Sequence, residues 1–100
     1  MALFYDRKDF RREILKTVYI IRFSKIQMQS LLKALRGSGF SATTYGDLEA
    51  EATYLQRKGY VEIQDSINPI TKEEAKTISI TEEGVDLIEG NRLDVGVEGG

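Results

Sequence analysis

The sequence predicts an α+β domain of three helices, a β-hairpin and a C-terminal helix over residues 1–90, followed by a flexible tail at 91–100. Three observations carry that prediction. Apolar residues recur at three- and four-residue spacing in three separate stretches before residue 60. The stretch TTYGDLEAEATYLQRKGY, from Thr43 to Tyr60, reads as a helix with both ends marked, and it turns directly into alternation at Tyr60-Val61-Glu62-Ile63. A second alternating run, Thr77-Ile78-Ser79-Ile80, follows a polar loop and leads into a new helix cap at Thr81.

Taken in order, the chain begins with a short apolar group, Leu3, Phe4 and Tyr5. Helix 1 starts near Asp6 or Asp9, and Phe10, Ile14, Val18 and Ile21, widened by Leu15, form its core stripe. Arg7, Lys8, Arg11, Arg12 and Lys16 fall largely away from that stripe. Tyr19, Ile20 and Phe23 add apolar surface outside it. With Leu3 and Phe4 they predict a homodimer interface, because large exposed apolar patches are rare on monomers. Ser24 with Gln27 reads as a capping box for helix 2, whose core face is Met28, Leu31, Leu32 and Leu35. Gly37-Ser38-Gly39 ends it, and Phe40 plugs the turn.

Helix 3 has Thr44 as its cap with Asp47 in the first turn, and Leu48, Ala52 and Leu55 as its apolar face. Tyr54, beside that face, is expected to lie half-buried against the hairpin. Arg57 and Lys58 occupy the last turn, where the helix dipole favours cations, and Gly59 takes the left-handed position beyond it. The first hairpin strand is Tyr60–Ile63, the loop carries Asn68-Pro69, and Thr77–Ile80 returns. Thr81 caps the last helix, with Val85, Leu87 and Ile88 facing the core and Gly90 stopping it. The expected core contains Ile14, Val18, Leu31, Leu35, Leu48, Leu55 and Ile80.

One hundred residues, 41% apolar and 30% charged, suffice for one modest core. No apolar run approaches the roughly 18 residues that span a bilayer, and the first ten residues lack the apolar stretch of a signal peptide, so a cytoplasmic location is expected. Cysteine and histidine are absent, which removes thiol nucleophiles, disulfides and the commonest general base and metal ligand. Neighbouring carboxylates such as Glu82-Glu83 do not face each other on a helix, and no glycine-rich phosphate loop is present. An enzyme is not expected, and neither is a cofactor or a metal. Net charge is −2 but unevenly spread: residues 1–36 hold nine Lys/Arg against three acids, and residues 37–100 hold five against thirteen.

The order of elements resembles that of the winged helix-turn-helix superfamily. Leu48, Leu55 and Gly59-Tyr60-Val61 are similar to the "L…YL…KGYV" pattern of small bacterial regulators of the ArsR and PadR kind. Ile80-Thr81-Glu82-Glu83-Gly84 resembles the "I-T-x-x-G" step into their final helix, and the compact length resembles phage or prophage regulators. The resemblance implies a DNA-binding transcriptional regulator with helix 3 in the major groove of double-stranded DNA and the hairpin as a wing. On it, Ser41, Thr43, Thr44, Tyr45 and Glu49 are expected near bases or phosphates, Arg57 and Lys58 near the backbone, and Lys72 and Lys76 as wing contacts. ArsR-type metal sensing does not transfer, since its Cys and His clusters have no counterpart here.

The acidity of helix 3 opposes that function. Asp47, Glu49 and Glu51 lie within it, and no Lys or Arg precedes Arg57 there. DNA affinity comes mostly from cations that neutralise phosphates. The alternative is therefore a winged-helix interaction module that presents an acidic helix 3 to a basic protein partner and does not bind DNA.

Overall fold

Asp6 opens the first helix by accepting a hydrogen bond from the backbone of Asp9, and α1 runs Arg7–Ile20. Its stripe is buried as expected at Phe10, Ile14, Leu15 and Val18, whereas Ile21, expected to continue it, is the C-cap beyond the helix and only half-buried. The computed structural model describes residues 6–67 and 69–97, so the expected contacts of Leu3 and Phe4 lie outside the described residues.

The capping box at Ser24 and Gln27 is not formed. A two-residue strand, β1 (Ile26–Gln27), occupies that place, and α2 (Met28–Gly37) follows with Gln27 as a cap whose side chain makes no capping bond. The cause is long-range: Ile26 pairs with Ile78 and Gln27 with Thr77, so the backbone is extended up to the first helical residue. Two residues are too few for alternation to show. Beyond α2, Phe40 does plug the turn, its ring centroid 5.1 Å from that of Phe10.

Helix α3 (Tyr45–Arg57) has the full capping box, with Thr44 and Asp47 each satisfying the other's backbone N–H. Its end is a Schellman turn. Gly59 donates to the Gln56 carbonyl, Tyr60 donates to the Leu55 carbonyl, and Gly59 sits at φ 84°, a region that disfavours residues with a Cβ. The chain then enters β2 (Val61–Ile67), which pairs antiparallel with β3 (Glu74–Ile80) from Val61–Ile80 out to Ile67–Glu74. Both strands are longer than the alternation at 60–63 and 77–80 indicated. β3 is central in a sheet of order β1-β3-β2.

The expected core is found with one exchange. Ile14, Val18, Leu31, Leu35, Leu48 and Leu55 are fully buried, but the β3 residue at the centre is Ile78, while Ile80 is only partly buried. Ile78 stands between Ile26 and Ile63 in the middle of the sheet, whereas Ile80 lies at its end opposite Val61.

Thr81 caps α4 (Glu82–Ile88) by accepting from the Gly84 N–H, and its own backbone N–H donates to the Tyr60 carbonyl. The segment expected as a flexible tail is docked as far as Val97. Val97 is in the core cluster, the Tyr60 hydroxyl donates to Asp94, and Arg11 Nη1 donates to the Gly96 carbonyl at 2.9 Å. The glycines and acids of this segment show no periodic stripe, so its composition carries no sign of the docking.

Candidate nucleic-acid interface

At 3.6 residues per turn, each side of α3 meets a different neighbour. Leu48, Ala52 and Leu55 face the core. Glu51, Tyr54 and Lys58 face α1 and the C-terminal segment. Tyr45 and Glu49 face the wing. Gly46, Ala50, Thr53 and Arg57 form the outward face; of these Gly46, Ala50 and Arg57 are exposed and Thr53 is half-buried.

The three carboxylates of α3 are all engaged within the protein. Asp47 accepts from the Thr44 N–H at 2.9 Å as half of the capping box. Glu51 is only 2% exposed and accepts from Arg11 Nε at 2.8 Å and Arg7 Nε at 3.1 Å. The Arg11 guanidinium also stacks 3.5 Å from the centroid of the Tyr54 ring. Glu49 Oε2 accepts from Lys76 Nζ of β3 at 3.1 Å, and this bond raises the Lys76 pKa. The outward face therefore carries Arg57 and no acid.

Arg11 is the main correction on α1: the residue expected among solvated cations is 8% exposed and committed to Glu51. A hydrogen-bonded, stacked guanidinium can be held inside where a lysine ammonium would not fit as well. Tyr54 is half-buried as expected, but beneath Arg11 rather than against the wing.

The predicted contact residues do not all reach the surface. Thr43 is 2% exposed, and its hydroxyl donates to the Phe40 carbonyl at 2.7 Å, so it supports the turn and offers nothing to a ligand. Lys58 lies 3.7 Å from Asp94 and reaches towards the C-terminal segment, away from the outward face. The Tyr60 hydroxyl holds the Asp94 carboxyl below the usual carboxylate range, and burial together with Asp94 pushes Tyr60 up to about 12. Ser41 and Thr44 are exposed at the start of α3, and Arg57 is exposed at its end. Tyr45 and Lys76 border a cleft of about 250 Å³ between the wing and the start of α2, where Gln27, Gln29 and Glu74 also line it. Lys72 is exposed in the wing turn at φ 62°, the one non-glycine residue with positive φ among those described.

Arg36 is a member of this surface that sequence reasoning missed. It is exposed in the last turn of α2, and its Nε donates to the Thr43 carbonyl at 3.0 Å, beside the start of α3. Only the fold of the intervening turn brings it there; spacing along the chain carries no such signal.

At the end of α1, Ile20 is 74% and Phe23 90% exposed, and Tyr19 donates to Glu89 Oε2 at 2.7 Å. Phe23 borders a groove of about 390 Å³ shared with Ile80 and Val85. Among the described residues there is no group of carboxylates that could hold a metal ion, and no helix is long and apolar enough to cross a membrane.

No family model matches the chain, and no curated protein matches it. Solved structures do. Bacillus subtilis PadR in complex with operator DNA superposes with a TM-score of 0.68 at 16% identity, over 89% of this chain and 50% of that one. A PadR-like transcriptional regulator of Bacillus cereus gives 0.62 at 19% identity, over 77% and 74%. A cysteine-to-serine mutant of MarR from E. coli, complexed with operator DNA, gives 0.60 at 22% identity, over 80% and 49%. This chain thus spans about half the length of the PadR and MarR chains seen on their operators. The likeness is one of fold, and the fold is a winged helix-turn-helix.

Proposed function

We propose that this chain is a DNA-binding transcriptional regulator that works as a homodimer in the cytoplasm, with α3 in the major groove and the wing on the adjacent backbone. The observation that carries this reading is the internal use of Asp47, Glu49 and Glu51. An acidic α3 was the argument against DNA, and each of its carboxylates has a structural partner. What is left outward is small at Gly46 and Ala50, which permits close approach to a groove, and cationic at Arg57. Ser41, Thr44 and Arg36 surround the start of α3, where backbone N–H groups and the helix dipole favour phosphate. Tyr45 borders the wing cleft, and Lys72 is at the wing turn. The similar PadR and MarR structures were solved with operator DNA, and that supports the same role here.

Titration with duplex DNA at two salt concentrations tests the reading. Arg57→Ala should weaken binding to all sequences and lower the slope of log affinity against log salt by about one for each phosphate no longer neutralised. Lys58→Ala should have the smaller effect, since Lys58 reaches towards Asp94. Absence of binding to any duplex at low salt would refute the proposal and favour a protein partner.

The dimer is proposed on the exposed apolar side chains at the end of α1, Ile20 and Phe23, with Tyr19 beside them. A two-fold pair of α3 helices on one face of DNA sits about 34 Å apart, one helical turn. Replacing both Ile20 and Phe23 with serine should yield a folded monomer by light scattering, because both are at the surface and neither is in the core. A wild-type chain that is monomeric at high concentration would overturn this assembly.

A further inference from the structure

A helix in the major groove discriminates bases through the donors and acceptors it presents. From Tyr45 to Leu55, α3 has no arginine, lysine, asparagine or glutamine, so the usual guanine and adenine readers are missing from most of its length. Beyond the capping box, the charged group that remains at the surface there is Glu49, with a side chain 44% exposed. Its Oε2 is held by Lys76 at 3.1 Å, and Lys76 is itself 41% exposed on β3 of the wing. The bond leaves Glu49 with a second carboxylate oxygen as an acceptor. Lys76 has two further N–H donors, since an ammonium carries three.

The pair thus places a charged acceptor and a charged donor side by side, with no net charge to be repelled by phosphate. The C·G pair suits this arrangement best along its major-groove edge. Cytosine offers the N4 amino donor, and its guanine partner offers O6 and N7 acceptors. An A·T pair also carries a donor, adenine N6, but it lies between two single acceptors, adenine N7 and thymine O4, so Lys76 would find one acceptor there where guanine offers two side by side. The two residues come from different elements, so reading the base pair also fixes the wing against α3.

We propose that Glu49 and Lys76 act together as a specificity-determining pair that reads a single C·G base pair in each half-site, Glu49 accepting from cytosine N4 and Lys76 donating to guanine. This rests on the DNA-binding reading above. The test is selection of duplexes from a randomised library by the wild type, by Glu49→Gln and by Lys76→Met. The wild type should select a site with an invariant C·G pair at one position of each half. Glu49→Gln should change that position towards A·T, because an amide pairs bidentately with adenine N6 and N7, and leave other positions alone. Its affinity for the wild-type site should fall about 10- to 100-fold, the worth of one specific base contact. Lys76→Met should relax the same position only.

Both side chains are about half-exposed and neither lies in the core, so the variants should fold, and a melting curve on each checks this. Glu49→Asp serves as a second variant: it keeps the acceptor and should retain cytosine with reduced affinity. A folded Glu49→Gln that selects the wild-type site unchanged overturns this proposal and leaves DNA binding standing. A wild type that selects no duplex at low salt overturns both.

Discussion

Replacing Glu51 with alanine should destabilise the fold by about 3–5 kcal/mol, the usual cost of removing one partner of a buried ion pair. Glu51 is 2% exposed and satisfies both Arg7 and Arg11. Without it, Arg11 keeps the Gly96 carbonyl and the face of Tyr54 but loses its counter-charge in a site that is 8% exposed. The unpaired guanidinium must then be rehydrated, which parts α1 from α3, or stay buried at high energy. Arg7 is 57% exposed, so Arg7→Ala should cost only about 0–1 kcal/mol. Exchanging the pair together for apolar residues of similar volume, as in Arg11→Met with Glu51→Leu, should recover most of the loss. Denaturant unfolding of the wild type and these three variants measures all of this. A cost below about 1 kcal/mol for Glu51→Ala, the range of a surface pair, would mean that the pair does not join α1 to α3.

Gly84→Ala should be at least as damaging as a typical overpacking change, about 3 kcal/mol or more. A Cβ at residue 84 would run into the Tyr60 carbonyl, 3.1 Å from its carbon, and lie 2.7 Å from Cγ1 of Ile80. Backbone cannot move aside as a side-chain tip can, and this backbone is held on both sides. Tyr60 O accepts from the Thr81 N–H, and Thr81 in turn caps α4 through Gly84 N–H. Relieving the clash therefore means lifting α4, and with it Leu87, from the end of β2. Gly46→Ala is the control: its Cβ would meet only Thr44 Oγ1 at 3.7 Å, so it should be neutral or slightly stabilising in the helix. Thermal melting that showed Gly84→Ala unchanged would contradict the packing of α4 described above.

The last glycine of Ile80-Thr81-Glu82-Glu83-Gly84 shows what a motif can and cannot convey. The pattern is visible in sequence as the entry to a final helix, but the reason for the glycine is the Tyr60 carbonyl more than twenty residues earlier. Features that arise within a few residues are legible in the same way. The apolar stripes of α1, α2 and α3, the Thr44–Asp47 capping box and the Gly59 turn all follow from helical periodicity and local hydrogen bonding. The hairpin follows from alternation, although its pairing continues to Ile67 and Glu74, where side chains no longer alternate in polarity.

By itself, then, the sequence determined the order of the four helices and the hairpin, though not the short strand β1, along with the faces that meet in the core and the absence of thiol and imidazole chemistry. Only the tertiary structure decided what the charges do. Asp47, Glu49 and Glu51 are two residues apart and look alike in the chain, but successive odd positions point to different sides of a helix. Their partners come from the cap, from β3 27 residues away, and from α1 40 and 44 residues away. Arg11, Arg36 and the segment at 94–97 were decided in the same way, by elements that chain order leaves apart. Electrostatic partnership is a property of the assembled surface. For that reason a helix that is acidic in sequence presents Arg57, and no unpaired carboxylate, on its outward face.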